Sequence, residues 1–278
     1  MDTLARDAGR AAMTGVAGVM AVVLAEAVAG TAAFLWLTPL WTEVKRGFFK
    51  LAGAILCVLA VSTWFSVDAA VVARFANGEA LRWSTLAAGA ITVLWTVLLF
   101  ARRPAAARVL GCLSVPAWLL VLFWMGGAGR QETWLALFQL AAGAALLGAT
   151  TDGLLLGHWY LTDRRLTREP IQRMTTILIV SVAVAAVAVI SAGFSGVRTS
   201  TTINPLLTAG ALAPWIALGM IAATALIAVL VKAALKGERP SAVQSATGFY
   251  YLAVVTAVTA EVAVKTRFLA EIGGRGGS

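Results

Sequence analysis

The sequence predicts an all-α, polytopic integral membrane protein, a bundle of about eight transmembrane helices. Its 278 residues are 60% hydrophobic and 13% charged, whereas an ordinary soluble domain is about 45–50% apolar and roughly 25% charged. The mean hydropathy is +0.87. The apolar residues also lie in runs of about 20 or more, which is the length that a helix needs to cross a hydrocarbon core. We therefore expect the lipid bilayer to be the main partner of the chain.

Eight such runs follow one another along the chain and are separated by short polar gaps. They cover 11–40, 48–73, 83–100, 109–125, 133–160, 171–194, 205–234 and 242–267. The first, fifth and seventh exceed the length needed, which predicts tilt or short interfacial extensions. Pro170 suits the first turn of the sixth helix, and Pro214 predicts a kink in the seventh. We find no internal repeat and no long linker, so 1–278 is treated as a single transmembrane helical domain.

The excess of positive charge is explained by topology. The net charge of +9 comes from 22 lysines and arginines against 13 acids, and no basic stripe is interleaved with stacking aromatics, so nucleic acid is not expected as a partner. The gaps after the first, third, fifth and seventh runs hold 13 of the basic residues, and the other gaps with both termini hold 9. The positive-inside rule therefore predicts a multi-pass protein of the cell (inner) membrane with both termini on the non-cytoplasmic side.

Several kinds of chemistry are not expected, because the sequence lacks the residues that they need. His158 is the sole histidine, so a bis-histidine haem or a histidine-based metal cluster needs ligands from elsewhere. Cys57 and Cys112 lie in separate runs without a CxxC motif, and neither a Walker A sequence nor a dinucleotide-binding glycine pattern is present. We therefore predict no metal site, no catalytic residue and no cofactor bound by the chain's own ligands, with a quinone as the one cofactor considered; whether the chain is an enzyme stays open.

Four acids fall inside the apolar runs and are candidates for proton transfer. They are Glu26, Asp68, Asp152 and Glu261. A charged side chain at the bilayer centre costs at least about 2.5–3.5 kcal/mol on insertion scales, so each needs an explanation. Glu26 has no basic residue within two turns of its own helix, which predicts a protonated acid or a partner on another helix. The alternative is a neutral carboxyl that hydrogen-bonds neighbouring helices together.

Two of these acids also have simple local explanations. Asp68 lies near a helix end, about two turns before Arg74, where water reaches a side chain. Glu261 stands four residues before Lys265, the spacing at which two helical side chains meet.

The densest group of polar and aromatic residues follows Asp152, at the end of the fifth run. His158, Trp159 and Tyr160 precede Arg164 and Arg165, and we predict that these five residues bind a quinone headgroup. A neutral imidazole can both donate and accept a hydrogen bond, as a quinone/quinol couple requires. The alternative is an ordinary interfacial cluster of aromatic and basic residues.

Three functions remain open. The first is a membrane subunit of a respiratory or redox complex in electron transport, which would interact with quinone or quinol, handle protons near the cytoplasmic end of the fifth helix, and assemble with other subunits. Eight helices with both ends outside resemble the plan of quinol-oxidising anchor subunits of molybdenum oxidoreductases, although no motif is shared. The second is a small-solute transporter or channel. The third is a structural or assembly subunit without chemistry of its own.

Overall fold

The chain forms a bundle of long helices, which confirms the predicted fold class. A computed structural model describes residues 15–71, 77–127, 133–163, 165–192, 205–237 and 241–273. Within these ranges eight helices are long and apolar enough to cross a membrane, and a one-turn helix lies between the first two. In chain order the helices are α1 (Gly15–Leu37), α2 (Leu40–Glu43), α3 (Arg46–Ala70), α4 (Gly78–Phe100), α5 (Pro104–Gly126), α6 (Thr133–Thr162), α7 (Glu169–Ser191), α8 (Pro205–Ala234) and α9 (Ser241–Gly273).

Local sequence explains where several helices begin and how their polar groups are satisfied. Pro104 and Pro170 lie in the first turns of α5 and α7, where the missing N–H has no intrahelical partner to lose. The hydroxyl groups of Thr85 and Thr92 donate to carbonyl oxygens four residues earlier, which satisfies them without water. Helix α8 continues through Pro214 to Ala234.

The eight long helices pack as two groups of four with the same order of contacts. In the first half, α1, α3, α4 and α5 each pack against the next and α5 returns to α1. In the second half, α6, α7, α8 and α9 do the same and α9 returns to α6. This equivalence is not visible as a sequence repeat. Because α1 and α6 are the first and fifth spans, they cross the bundle in the same direction.

The two halves meet along α1 and α6, with further contacts of α9 on α1 and of α5 and α3 on α6. Gly30 of α1 lies against Ala144 and Gly148 of α6 so closely that a Cβ on either glycine would overlap the backbone opposite. Small residues permit this approach, and in a bilayer such van der Waals contact is a main source of helix association. The interface between the halves is therefore a tight backbone contact in the centre of the molecule.

Eight spans place the loops on two faces of the bundle. We call the face with the 38–45, 101–103, 165–168 and 235–237 segments the basic face, and the opposite face, where α1 begins and α9 ends, the terminal face. The assignment of the basic face to the cytoplasm stays a prediction. The chain is a multi-pass membrane protein, with eight candidate spans in the residues that the structure describes.

Candidate functional site

A buried ionic cluster joins the two halves. Lys265 of α9 places its Nζ 2.7 Å from Oε1 of Glu26 on α1 and 3.3 Å from Oε2 of Glu261, one turn earlier on α9. All three side chains are at most 3% exposed. The Nζ also lies 3.4 Å from the backbone carbonyl oxygen of Gln139 on α6. We call Glu26, Glu261 and Lys265 the triad, and it holds two carboxyl groups and one ammonium group.

Glycine makes room for the triad on α6. A Cβ on Gly143 would lie 2.6 Å from Oε1 of Glu26, so a larger residue there would displace the carboxyl group. On the side toward the terminal face, a cavity of about 20 Å³ is lined by Gln139, Pro214, Arg267 and Phe268 among others. That volume holds about one water molecule. The triad is thus enclosed by protein on three helices, with space for one water beside Gln139.

Asp152 is a further buried acid, and among the described residues it has no counterpart to Lys265. Its side chain is fully buried, and neither carboxyl oxygen has a hydrogen-bond partner among the described residues. It lies nine residues beyond Gly143 on α6, which is about 13 Å along the helix. The next residue, Gly153, contacts the ring of the fully buried Tyr250 on α9. An ionised carboxylate in this position would be uncompensated, which is costly in a low-dielectric interior.

The four predicted proton-transfer acids are therefore only partly brought together. Glu26 and Glu261 share Lys265, and the Glu261–Lys265 pair forms at the spacing expected. Asp152 is separate. Asp68 has a side chain that is 59% exposed and lies 3.4 Å from Nε of Arg82 on α4, at the terminal face, and Arg74 lies outside the described residues.

His158 forms a hydrogen bond with a residue that sequence reasoning missed. Its Nε2 lies 2.8 Å from the hydroxyl oxygen of Tyr251 on α9, and the two rings meet edge to face at 5.4 Å. Tyr251 is 49% exposed and His158 is partly exposed. The pair therefore lies at the lipid-facing surface, near the basic face, where a hydrogen-bonding headgroup can reach it from the bilayer.

The other predicted quinone-binding residues point elsewhere, because consecutive residues on a helix are 100° apart. Trp159 packs against Gly47 and Phe48 at the start of α3. The hydroxyl of Tyr160 donates to the carbonyl oxygen of Thr167. Arg165 is exposed, and Arg164 lies outside the described residues. His158, Trp159 and Tyr160 thus do not line one common pocket.

Ion pairs close the basic face between the halves. Lys45, before α3, lies 2.8 Å from Asp163, after α6, and the hydrogen bond from Lys45 lowers the pKa of the Asp163 carboxyl. Arg173 of α7 binds Glu43 of α2 at 2.7 Å and Glu169 at 3.2 Å. Asp163, Glu169 and Arg173, which lie at or just after the polar end of the fifth run, therefore form ion pairs that hold the loops together.

A large apolar groove is also present, but it offers little to a polar headgroup. It has a volume of about 520 Å³ and lies between α3 and α4, lined by Ala60, Trp64, Leu86, Gly89 and others. None of its lining residues is ionisable. Among the described residues no group of three or more His, Cys, Asp or Glu side chains is arranged to hold a metal ion.

Sequence reasoning missed the role of Lys265 toward Glu26 and the whole contribution of Tyr250 and Tyr251. The tyrosine pair Tyr250–Tyr251 in a membrane span was a visible signal, but which helix each faces depends on packing. Comparisons with family models, curated protein sequences and solved structures found no match to this chain.

Proposed function

We propose that the protein handles protons inside the membrane, as an integral subunit of a respiratory or redox complex of the cell membrane that interacts with quinone or quinol. The observation that carries the proton-handling part is the triad, supported by Asp152. Both lie on the helices where the two halves meet, at different depths in the bilayer.

The charge balance of the triad supports exchange of one proton. Two carboxylates and one ammonium carry a net charge of −1, and burial of an uncompensated charge costs several kcal/mol in effect. One proton shared by Glu26 and Glu261 makes the group neutral. Release of that proton leaves Lys265 still paired, so the charged form remains accessible. Asp152 is neutral in its protonated form and gives a second position at which a proton can reside.

Infrared spectroscopy tests this without knowledge of a substrate. Difference spectra between acidic and alkaline samples of the purified protein in lipid should contain the carbonyl band of a buried protonated carboxyl. The band should change in Glu26→Gln and Glu261→Gln, and a separate component should vanish in Asp152→Asn. Asp68→Asn is the matched control, because Asp68 is exposed beside Arg82. Absence of any buried carboxyl band that responds to these substitutions would overturn the proposal.

The quinone part of the proposal narrows to His158 and Tyr251. His158 Nε2 and the Tyr251 hydroxyl are bonded to each other at 2.8 Å, and in either direction of this bond the pair keeps one further donor and one further acceptor, at Nδ1 and the phenol oxygen. It lies on a lipid-facing surface, and a quinone reaches its site from the bilayer. Quinone reduction takes up protons, and a neutral imidazole hydrogen-bonded to a phenol can pass one on. The iron or other redox centre that exchanges electrons with the quinone would belong to another subunit.

Binding of a short-chain quinone to the protein in nanodiscs tests this part. Quenching of tryptophan fluorescence should saturate in the wild type and weaken in His158→Ala and Tyr251→Phe. Tyr160→Phe is the control, since the Tyr160 hydroxyl is engaged by Thr167. Unchanged affinity in His158→Ala would remove the quinone from the proposal while the infrared test still decides proton handling.

A second candidate, a proton-coupled transporter of a small solute, is favoured by the likeness of the two halves. Transporters with parallel repeats hold their substrate and coupling ion near the midplane, at the interface between the repeats, and the triad bridges α1 and α9 there. Proteoliposomes carrying a pH-sensitive dye distinguish the candidates. Proton movement that starts on addition of a solute, without a quinol or redox partner, would favour transport.

A further inference from the structure

A cavity at the basic face lies apart from the triad and from the His158–Tyr251 pair. It has a volume of about 210 Å³ and lies between the first turns of α7 and the end of α8. Its lining is Gln172, Thr175, Thr176, Lys232, Leu235 and Lys236. Five of these six side chains are polar, and two are cationic, which is unusual for a space between two membrane-spanning helices.

The two lysines give this cavity a net positive charge. Lys232 and Lys236 are four residues apart, so their side chains lie on the same side of the helix end. Within the described ranges, neither has a carboxylate within salt-bridge distance, since the pairs found there involve other residues. Glu169, the acid in the first turn of α7, is bound by Arg173 at 3.2 Å.

Helix dipoles do not cancel the charge of the lysines. The positive end of the α7 dipole and the negative end of the α8 dipole both point to this cavity, and their effects oppose each other. The two ammonium groups therefore make the electrostatic potential of the cavity positive. Gln172 adds an exposed amide, while Thr175 donates its hydroxyl to the carbonyl oxygen of Ile171 at 2.7 Å.

The back wall of the cavity is fixed. Oγ1 of Thr175 lies 3.0 Å from the hydroxyl oxygen of the fully buried Tyr250. Because Thr175 donates to Ile171, the Tyr250 hydroxyl donates to Thr175. A ligand in the cavity therefore meets two ammonium groups and an amide at its mouth, against a wall that is already hydrogen-bonded.

We propose that this cavity binds a phosphoryl anion, either the phosphate of an acidic lipid headgroup or inorganic phosphate. Basic pockets between helices at the ends of membrane spans are suited to anionic headgroups, which lie at this level of the bilayer. The ammonium pair supplies the charge, and the Gln172 amide supplies a hydrogen-bond donor. This inference does not depend on the proposed handling of protons.

Thermal unfolding in nanodiscs tests the proposal, with native mass spectrometry to count retained lipid. Wild-type protein is compared in phosphatidylcholine alone, with added phosphatidylglycerol, and with added inorganic phosphate at matched ionic strength. The charge-removing variant is Lys232→Gln combined with Lys236→Gln. Lys50→Gln is the matched control, because Lys50 is also a cation of the basic face but lies in the other half, 5.1 Å from the ring of Phe100.

We expect at least one of the two anions to raise the unfolding temperature of the wild type and of Lys50→Gln. The double variant should bind it about thirtyfold more weakly, as each of the two lysines contributes roughly 1 kcal/mol near an anionic surface. A response to phosphatidylglycerol alone assigns the site to a headgroup, and a response to inorganic phosphate assigns it to the free anion. No response to either anion, an undiminished response in the double variant, or an equal loss in Lys50→Gln would each overturn the proposal.

Discussion

In the first half of the bundle, α1, α3, α4 and α5 enclose a cluster of large aromatic side chains. In the second half, α6 to α9 enclose the carboxyl group of Asp152 together with several hydroxyl groups. Trp95, Trp118, Phe48 and Phe49 are fully buried in the first half. The second half contains Asp152, the Thr175–Tyr250 hydrogen bond and a Thr224–Thr256 contact of 2.7 Å. Apart from Glu26 at the junction of the halves, the same order of packing thus encloses neutral groups in the described part of the first half and a buried carboxyl group in the second.

The difference matters because polar groups in a bilayer interior are costly to insert and have to be balanced locally. The first half pairs several of its polar groups within one helix or by a bond between helices, such as Trp118 Nε1 to Thr92 Oγ1 at 3.0 Å. The buried polar atoms that it leaves without a hydrogen-bond partner among the described residues belong to neutral side chains such as those of Thr31 and Trp36. The second half leaves Asp152 without a partner among the described residues, and the triad between the halves has one acid more than it has cations. We therefore expect substitutions of the neutral polar and aromatic groups of the first half to change stability alone, and those of Asp152 and the triad to change proton binding as well.

The largest loss of stability is expected from Lys265→Met, which removes the cation of the triad at the junction of the two halves. Removal of the cation leaves Glu26 and Glu261 buried without a counter-charge, and breaking a buried pair in this way costs about 3–5 kcal/mol. Thermal unfolding in detergent near neutral pH measures the loss. Adding Glu26→Gln and Glu261→Gln to the same chain should restore most of it. Wild-type stability of Lys265→Met would contradict the charge balance assigned to the triad.

A somewhat smaller loss is expected from Gly148→Ala, which separates α6 from α1. The added methyl group overlaps the backbone of Gly30, and overpacking of this kind costs about 1–3 kcal/mol. Gly219→Ala on α8 is the matched control, because nothing lies within 4 Å of its Cβ position. The unfolding temperature should fall for Gly148→Ala and hold or rise for Gly219→Ala; equal effects would show that the backbone contact does not join the halves.

Thr92→Val tests whether a polar group of the first half affects stability without affecting proton binding. It removes the acceptor of the Trp118 hydrogen bond, and bonds between helices in a membrane contribute about 0.6 kcal/mol on average and up to about 1.7. Stability should fall by about this amount. The carboxyl band in infrared difference spectra should be unchanged, and a change in it would mean that the aromatic half also takes part in proton binding.

The smallest effect is expected from Asp163→Asn at the basic face, where Lys45 bridges the halves. The pKa of Asp163 is lowered in the folded protein by Lys45, so the ion pair stabilises the fold above the unfolded pKa of about 3.9 and its contribution is lost as the pH falls through the folded value. Wild type and Asp163→Asn should therefore differ slightly at neutral pH and converge in acid. Because Lys45 is 70% exposed, salt should reduce the difference; a gap that persists in acid would exclude the ion pair as its cause.

Much of the fold follows from hydropathy, since a helix of about 20 apolar residues is the simplest structure that satisfies its own backbone in lipid. The eight predicted runs correspond to the eight long helices. The boundaries shifted by a few residues: α4 begins at Gly78 rather than 83, because the gap was read from Arg82, which the helix includes and pairs with Asp68.

The candidate site was predictable only in its parts. The burial cost of Glu26 predicted either a protonated acid or a partner on another helix, and the i, i+4 spacing paired Glu261 with Lys265. That the same lysine serves both acids depends on α9 lying against α1, which no local pattern records. The residues predicted to bind a quinone do not face one pocket, although they are neighbours in sequence. Consecutive residues on a helix point in directions about 100° apart, so sequence neighbours contact different parts of the bundle.

The sequence by itself determined that the chain crosses a membrane about eight times and which few ionisable residues enter the bilayer, because hydropathy and insertion cost are sums over local residues. Only the tertiary structure decided that the spans form two like halves, that Lys265 joins Glu26 and Glu261 between them, that Asp152 is left without a partner, and that His158 meets Tyr251. Those outcomes depend on the rotation and neighbours of each helix, and in an apolar solvent they are set by close packing rather than by the pattern of hydrophobic residues.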